Sequence, residues 1–189
     1  NLIGYAPKNT KVDKSLEHAN IKTLYLTDYS CLASGLANLP KLTSVVLYGC
    51  DSLQNVDGLA NLTKLTSLDL NNCGSLQNVD GLANCTNLTI LDLSDCDSLQ
   101  NVDVLANCTN LTSLNLTNCI SLQFENMCGL ANLNNLEILY VSNYEYDEEY
   151  NRSDWIAYEY NTREIITKFQ KNINIFIAIR DNDQNILSK

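Results

Sequence analysis

Apolar residues recur through the middle of this chain on two interleaved rhythms. A short alternation, as in Leu68-Asp69-Leu70, gives way to a longer stretch where apolar residues return about every third position: Cys73, Leu76, Val79, Leu82, Cys85. The alternation predicts a short strand with Leu68 and Leu70 on one face and Ser67, Asp69 and Asn71 on the other. The spacing of three predicts a return path of tight turns and 3₁₀ segments rather than a long α-helix. The two rhythms then recur as one unit. Its lead leucines fall at 42, 65, 88 and 111, a step of 23 residues that shortens to 21 after Ile21 and stretches to 25 before Leu136.

A fixed period in the twenties containing L-x-x-L-x-L-x-x-C predicts a leucine-rich repeat solenoid, of α/β class, with about seven strands in one curved parallel sheet. One repeat cannot bury its apolar stripe alone; stacked coils share a continuous core. Asp57, Asp80 and Asp103 each precede a Gly-Leu-Ala or Val-Leu-Ala turn, where a capping carboxylate would satisfy backbone N–H groups.

The runs LANLTKLTSLDL (59–70) and NVDGLANLTKL (55–65) resemble the internalin class of leucine-rich repeats. Cysteine stands at 50, 73, 96 and 119, where that class usually has asparagine, and one residue is added before Leu53, Leu76 and Leu99. The resemblance covers about residues 12–143. Taken to role, it implies a protein partner.

Three regions follow. Residues 1–20 read as an N-terminal cap, a half-repeat in which Val12-Asp13 echoes Val56-Asp57 and Leu16 echoes Leu59. Residues 21–143 hold the repeats, six strands long, with Phe124–Cys128 as an insertion bulging on the convex side or its edge. Residues 144–189 read as a C-terminal cap. It comprises an acidic tyrosine-rich loop (144–160), a helix carrying Ile165, Ile166 and Phe169, and a seventh parallel strand at 174–180.

Cysteine usage bears on compartment and chemistry. Cys50, Cys73, Cys96 and Cys119 form one inward column, Cys85 and Cys108 a second. Side chains on parallel coils run side by side and do not converge on a tetrahedral metal site, and there is no C-x-x-C pair. Buried thiols acting as small apolar residues are expected, without disulfides. They suit a reducing compartment, the cytosol of the producer or of a host cell. The chain starts at Asn1 rather than Met, so an extracellular or surface-attached location is the alternative if an upstream signal was removed.

The net charge of −10 argues against nucleic acid and anionic membrane surfaces. No apolar run reaches the roughly 18 residues of a membrane span. The single histidine, His18, lies in the N-terminal cap, away from any nucleophile, so no catalytic triad is expected. No cofactor, metal or catalytic residue is assigned.

Recognition falls to strand positions that do not carry leucine. One column reads Tyr25, Val46, Asp69, Asp92, Asn115, Tyr140; the next Thr27, Tyr48, Asn71, Ser94, Thr117; beside it lie Gly49, Asn72, Asp95 and Asn118. The candidate contact residues are Tyr25, Tyr48, Asp69, Asn71, Asp92, Asp95, Asn115 and Tyr140. Tyrosine offers apolar area at low entropic cost, and Asp69, Asp92 and Asp95 suit a cation or a hydrogen-bond donor. Alanine at Tyr25, Asp92 and Tyr140 is expected to abolish capture without unfolding the chain. Asp69 and Asp92 on adjacent strands lie about 5 Å apart, yet a shallow wet sheet offers no pocket for glycosidase chemistry. The expected function is a non-enzymatic interaction scaffold, monomeric or part of a larger assembly. The competing expectation is a structural subunit of a larger assembly, favoured by an exposed apolar patch on the convex side or the final strand and opposed by a monomeric solution mass.

Overall fold

Seven short strands lie side by side in chain order in one sheet: β1 (Leu2–Ala6), β2 (Ile21–Leu26), β3 (Ser44–Val46), β4 (Ser67–Asp69), β5 (Ile90–Asp92), β6 (Ser113–Asn115) and β7 (Ile138–Tyr140). Every neighbouring pair is parallel. The computed structural model describes residues 2–6, 20–26, 36, 39, 41–141, 146–147 and 152–153. Strand, turn and return path repeat as the two rhythms of the sequence require: this is a leucine-rich repeat solenoid.

The spacing of three in the return path has a direct physical basis. In the second half of one coil the Leu76 N–H donates to the Cys73 carbonyl, Leu82 to Val79, Cys85 to Leu82 and Leu88 to Cys85, at 2.9–3.0 Å. Each bond spans three residues, so successive tight turns bring each bonded residue to the same side. Short 3₁₀ segments occupy Asp57–Leu59, Asp80–Leu82, Asp103–Asn107 and Phe124–Asn132. Leucines, valines and thiols from all coils merge into one core of fully buried side chains.

The cysteine columns point inward as the spacing predicts. The Cys73, Cys96 and Cys119 thiols each contact the carbonyl that follows the preceding strand (Leu47, Leu70 and Leu93) at 3.2, 3.3 and 3.1 Å. Cys85 and Cys108 lie 3.8 and 3.7 Å from the carbonyls of Leu59 and Leu82. A thiol is a weak donor, so these contacts mainly keep a buried carbonyl in polar company. Two further ladders flank the strands. Thr43, Thr66, Thr89 and Thr112 hydroxyls donate to carbonyls of the coil before, and the Asn87, Asn110 and Asn135 amides do the same.

Cys128 departs from the expectation of burial: it is exposed on the Phe124–Asn132 segment. At neutral pH a thiol reagent should modify Cys128 in the native protein. Cys73, Cys85, Cys96, Cys108 and Cys119 should react only after denaturation, with no reductant needed; a requirement for reductant would reveal a bridge.

Other expectations need revision. The turn carboxylates do not cap: none of the first three 3₁₀ segments has a side-chain cap bond at its valine N-cap. Instead the Asn55, Asn78 and Asn101 side-chain oxygens accept from the N–H of Asp57, Asp80 and Asp103, at 3.2, 3.2 and 2.7 Å. An Asn oxygen reaches two residues ahead more readily than the aspartate reaches back to its own turn. Asp103 accepts from the Gly129 N–H of the next coil at 2.8 Å, a tie between coils. The insertion lengthens the 3₁₀ segment to nine residues and places Met127 in the core.

The strand at the N-terminus was not foreseen. Residues 2–6 pair in parallel with β2, with Tyr5 opposite Tyr25, so the region read as a half-repeat begins with a full strand. The expected strand at 174–180, the helix before it, and the residues Val12, Leu16 and His18 lie outside the described residues. Within the acidic tyrosine-rich segment, Tyr146–Asp147 (β8) and Arg152–Ser153 (β9) form a small antiparallel pair separate from the repeat sheet. The reading of that segment as a loop missed this pairing. Among the described residues no helix is long and apolar enough to cross a membrane.

Candidate recognition face

Strand register fixes which side chains share the open face. Tyr25 pairs with Val46, Val46 with Asp69, Asp69 with Asp92, Asp92 with Asn115 and Asn115 with Tyr140. This is the column read from the sequence. Two residues earlier on each strand runs a parallel column that the sequence reading left out: Thr23, Ser44, Ser67, Ile90, Ser113, Ile138. Its signal was present, because LTIL at 88–91 replaces LTSL at 65–68 and 111–114. Ile90 is 50% exposed and Tyr48, at the far end of the face, 53%.

Beyond the strands the chain must turn sharply into its return path. Asn72, Asp95 and Asn118 adopt φ of 60°, 58° and 59°, and Gly49 a φ of 67°. Left-handed backbone is accessible to Gly, Asn and Asp more readily than to other residues, and that requirement selects the residue types in this column. Asp95 is therefore first a turn residue. Its two carboxylate oxygens also accept from the Asn118 amide at 2.8 Å and the Asn71 amide at 3.2 Å.

The last residue of each strand seeds the same turn. Asp69 accepts from the Asn71 N–H at 2.9 Å, Asp92 from the Ser94 N–H at 2.9 Å, and Asn115 from the Thr117 N–H at 3.1 Å. Cross-links between coils complete a lattice. The Ser94 hydroxyl donates to the same Asp92 oxygen, the Asn115 amide donates to the other at 3.2 Å, and the Asn71 amide reaches the Ser94 hydroxyl oxygen at 2.6 Å. Ser94 is consequently buried.

Asp92 and Asp95 thus have structural partners on both oxygens. The Asp69 carboxyl differs. Burial pushes its pKa up, the Asn71 N–H opposes this, and the facing Asp92 carboxylate raises it further. Replacing Asp92 with Ala should remove the partner of both Ser94 and Asn115 and cost about 1–3 kcal/mol in denaturant unfolding. Asp69→Asn relieves a like-charge pair and should change stability by less than about 0.5 kcal/mol. Equal losses would refute this division of roles. Asp92→Ala accordingly reports on folding and is unsuited to test recognition alone.

Tyr25, Asn71, Asn115 and Tyr140 are half-buried, flanking or bridging the carboxylates. On the rim where the strands begin lies a groove of about 750 Å³, lined by the threonine and asparagine ladders, with Lys64 and Glu137 at its two ends. Those two charges belong to coils three strands apart, about 14 Å at the ordinary strand spacing, too far to share one reacting group. Among the described residues no group of three or more His, Cys, Asp or Glu side chains is placed to hold a metal ion.

Fold and face together define a leucine-rich repeat protein with a polar, aromatic-edged strand face. Among solved structures the chain is similar to an internalin, inlF, from Listeria monocytogenes, at 25% identity over 68% of this chain, with a TM-score of 0.43. It is similar also to an internalin C2 from the same species, at 23% identity over 86% of this chain and 72% of that one, with a TM-score of 0.45. The chain spans 44% of the length of the first of these internalins. No protein-family model matches the sequence, and neither does any curated protein.

Proposed function

We propose that this chain is a non-enzymatic protein-interaction scaffold that docks a partner across its open strand face, with Tyr25, Tyr48, Asp69 and Tyr140 among the contacts. One observation carries the reading. Of the exposed large apolar side chains among the described residues, Tyr48, Ile90 and Ile120, the first two stand on this one face. The polar lattice beneath holds the strand ends in a fixed geometry, so little ordering is needed on binding. The thiol-rich core fits a reducing compartment, the cytosol of a producer or host cell.

The test is capture from the native source with cross-linking, comparing the wild-type chain with a Tyr25→Ala, Tyr48→Ala, Tyr140→Ala triple variant. The variant should keep its circular dichroism spectrum and lose the captured protein, whose cross-links map to β2–β7. Unchanged capture would place the contact elsewhere.

A further inference from the structure

Ile90 occupies the centre of the face, and its surroundings define what could sit there. Its partners across the strands are Ser67 on one side and Ser113 on the other, both small and half-buried. A branched side chain between two serines stands proud of the sheet, with room for a partner group on either flank. The coil does not require an aliphatic residue here, since Ser44, Ser67 and Ser113 occupy the equivalent position on β3, β4 and β6, with Ile138 on β7.

Two residues along, on the same face and about 7 Å away, begins the carboxylate pair. Asp69 and Asp92 sit directly opposite each other, an arrangement that costs stability in a sheet unless a positive charge intervenes. Asp92 is occupied by Ser94 and Asn115, whereas only one oxygen of Asp69 has a bond to its own turn. Among the described residues the charge that acts on Asp69 is that of Asp92, with no cation to offset it. The chain's net charge of −10 would draw a basic partner from a distance and repel an acidic one.

Resting on the docking reading above, we propose that the centre of the face receives a basic segment of a protein partner, in which an arginine or lysine has an apolar neighbour on the same side. The apolar group packs against Ile90 in the notch beside Ser67, and the cation meets Asp69, two residues further along β4. The two contact points are separated by about 7 Å, the distance between residues i and i+2 of an extended segment.

Panning a random peptide library displayed on phage against the full chain tests this, followed by titration of the enriched synthetic peptides. Enriched peptides should carry Arg or Lys two residues from an apolar side chain. Ile90→Ser, which installs the residue already present at 67 and 113, and Asp69→Asn should each weaken binding by about tenfold, and added salt should weaken it further. Failure to enrich any peptide, enrichment of peptides without a cation, or full affinity in both variants overturns the proposal. If affinity survives those two changes and is lost in Tyr25→Ala, Tyr140→Ala, the face binds but its centre does not. If no substitution matters, the docking reading falls as well.

Discussion

Raising the pH of the reduced protein from about 8 to about 11 should unfold it in a single transition that begins near the ordinary thiol range. Burial pushes the Cys85 and Cys108 thiols up to about 11 and Cys96 to about 12. The Cys50 thiol beside Cys73, and burial at Cys119, push these two up as well. Below the ordinary thiol value both folded and unfolded chains hold these protons, and pH has no effect through them. Above it the unfolded chain releases protons that the folded chain retains, so folded stability falls as pH climbs toward the folded values. Several thiols in one core act together, which makes the transition steep. Circular dichroism and thiolate ultraviolet absorbance should change at the same pH. Replacing Cys85 and Cys108 with Val should move the transition upward. Thiolate absorbance appearing near the ordinary value with the spectrum of the fold unchanged would show that these thiols are open to water.

The second large effect concerns Gly81. A Cβ built there lies 2.5 Å from the Val56 carbonyl carbon and 2.8 Å from Asp57 Cα, both backbone atoms of the preceding coil. The three-residue 3₁₀ turns Asp57–Leu59 and Asp80–Leu82 are thus stacked closely enough to exclude any side chain at this point. Gly81→Val should cost about 3 kcal/mol. For a chain of this size that lowers the melting temperature by roughly 6–12 °C. Val104 holds the corresponding place one coil later, in a five-residue segment, and is half-buried against the core. Replacing Val104 with Gly should therefore be the milder change. A Gly81→Val protein that melts within about 2 °C of wild type would mean that the coils can spread at little cost.

Much of this architecture could be read from residue order, because the leucines, valines and thiols of each coil have one physical option. A stripe with a step of 23 residues is buried only by stacking, and stacking sets the register that places Asp69 opposite Asp92 and Asn115 opposite Tyr140. The open strand face was legible in its columns but not in the roles of its members. Residues such as Asp92, Asp95, Asn71 and Asn115 look like ligands in sequence because they are polar and periodic. In three dimensions those features serve a turn with positive φ and the amides around it. Ile90 was absent from the columns read in the sequence, and the register places it opposite Ser67 and Ser113 on the open face. β1 escaped notice because Leu2–Ala6 lacks the leucine spacing of the other strands. The asparagines at 55, 78 and 101 escaped because the aspartates two residues later looked like better caps.

The ladders have a sense of direction. Every thiol, threonine hydroxyl and rim amide in them donates to a carbonyl 21 to 26 residues behind it, as Thr66 does to Thr43 and Cys96 to Leu70; among the inter-coil side-chain donors it is Asn71 that reaches forward. The backbone N–H groups bond both ways, as Thr66 does back to Thr43 and Leu70 forward to Asp92, so this sense of direction belongs to the side chains: loss of the last coil would leave ladder carbonyls that water can serve. Removing a coil from the front would instead strand donors inside the next one.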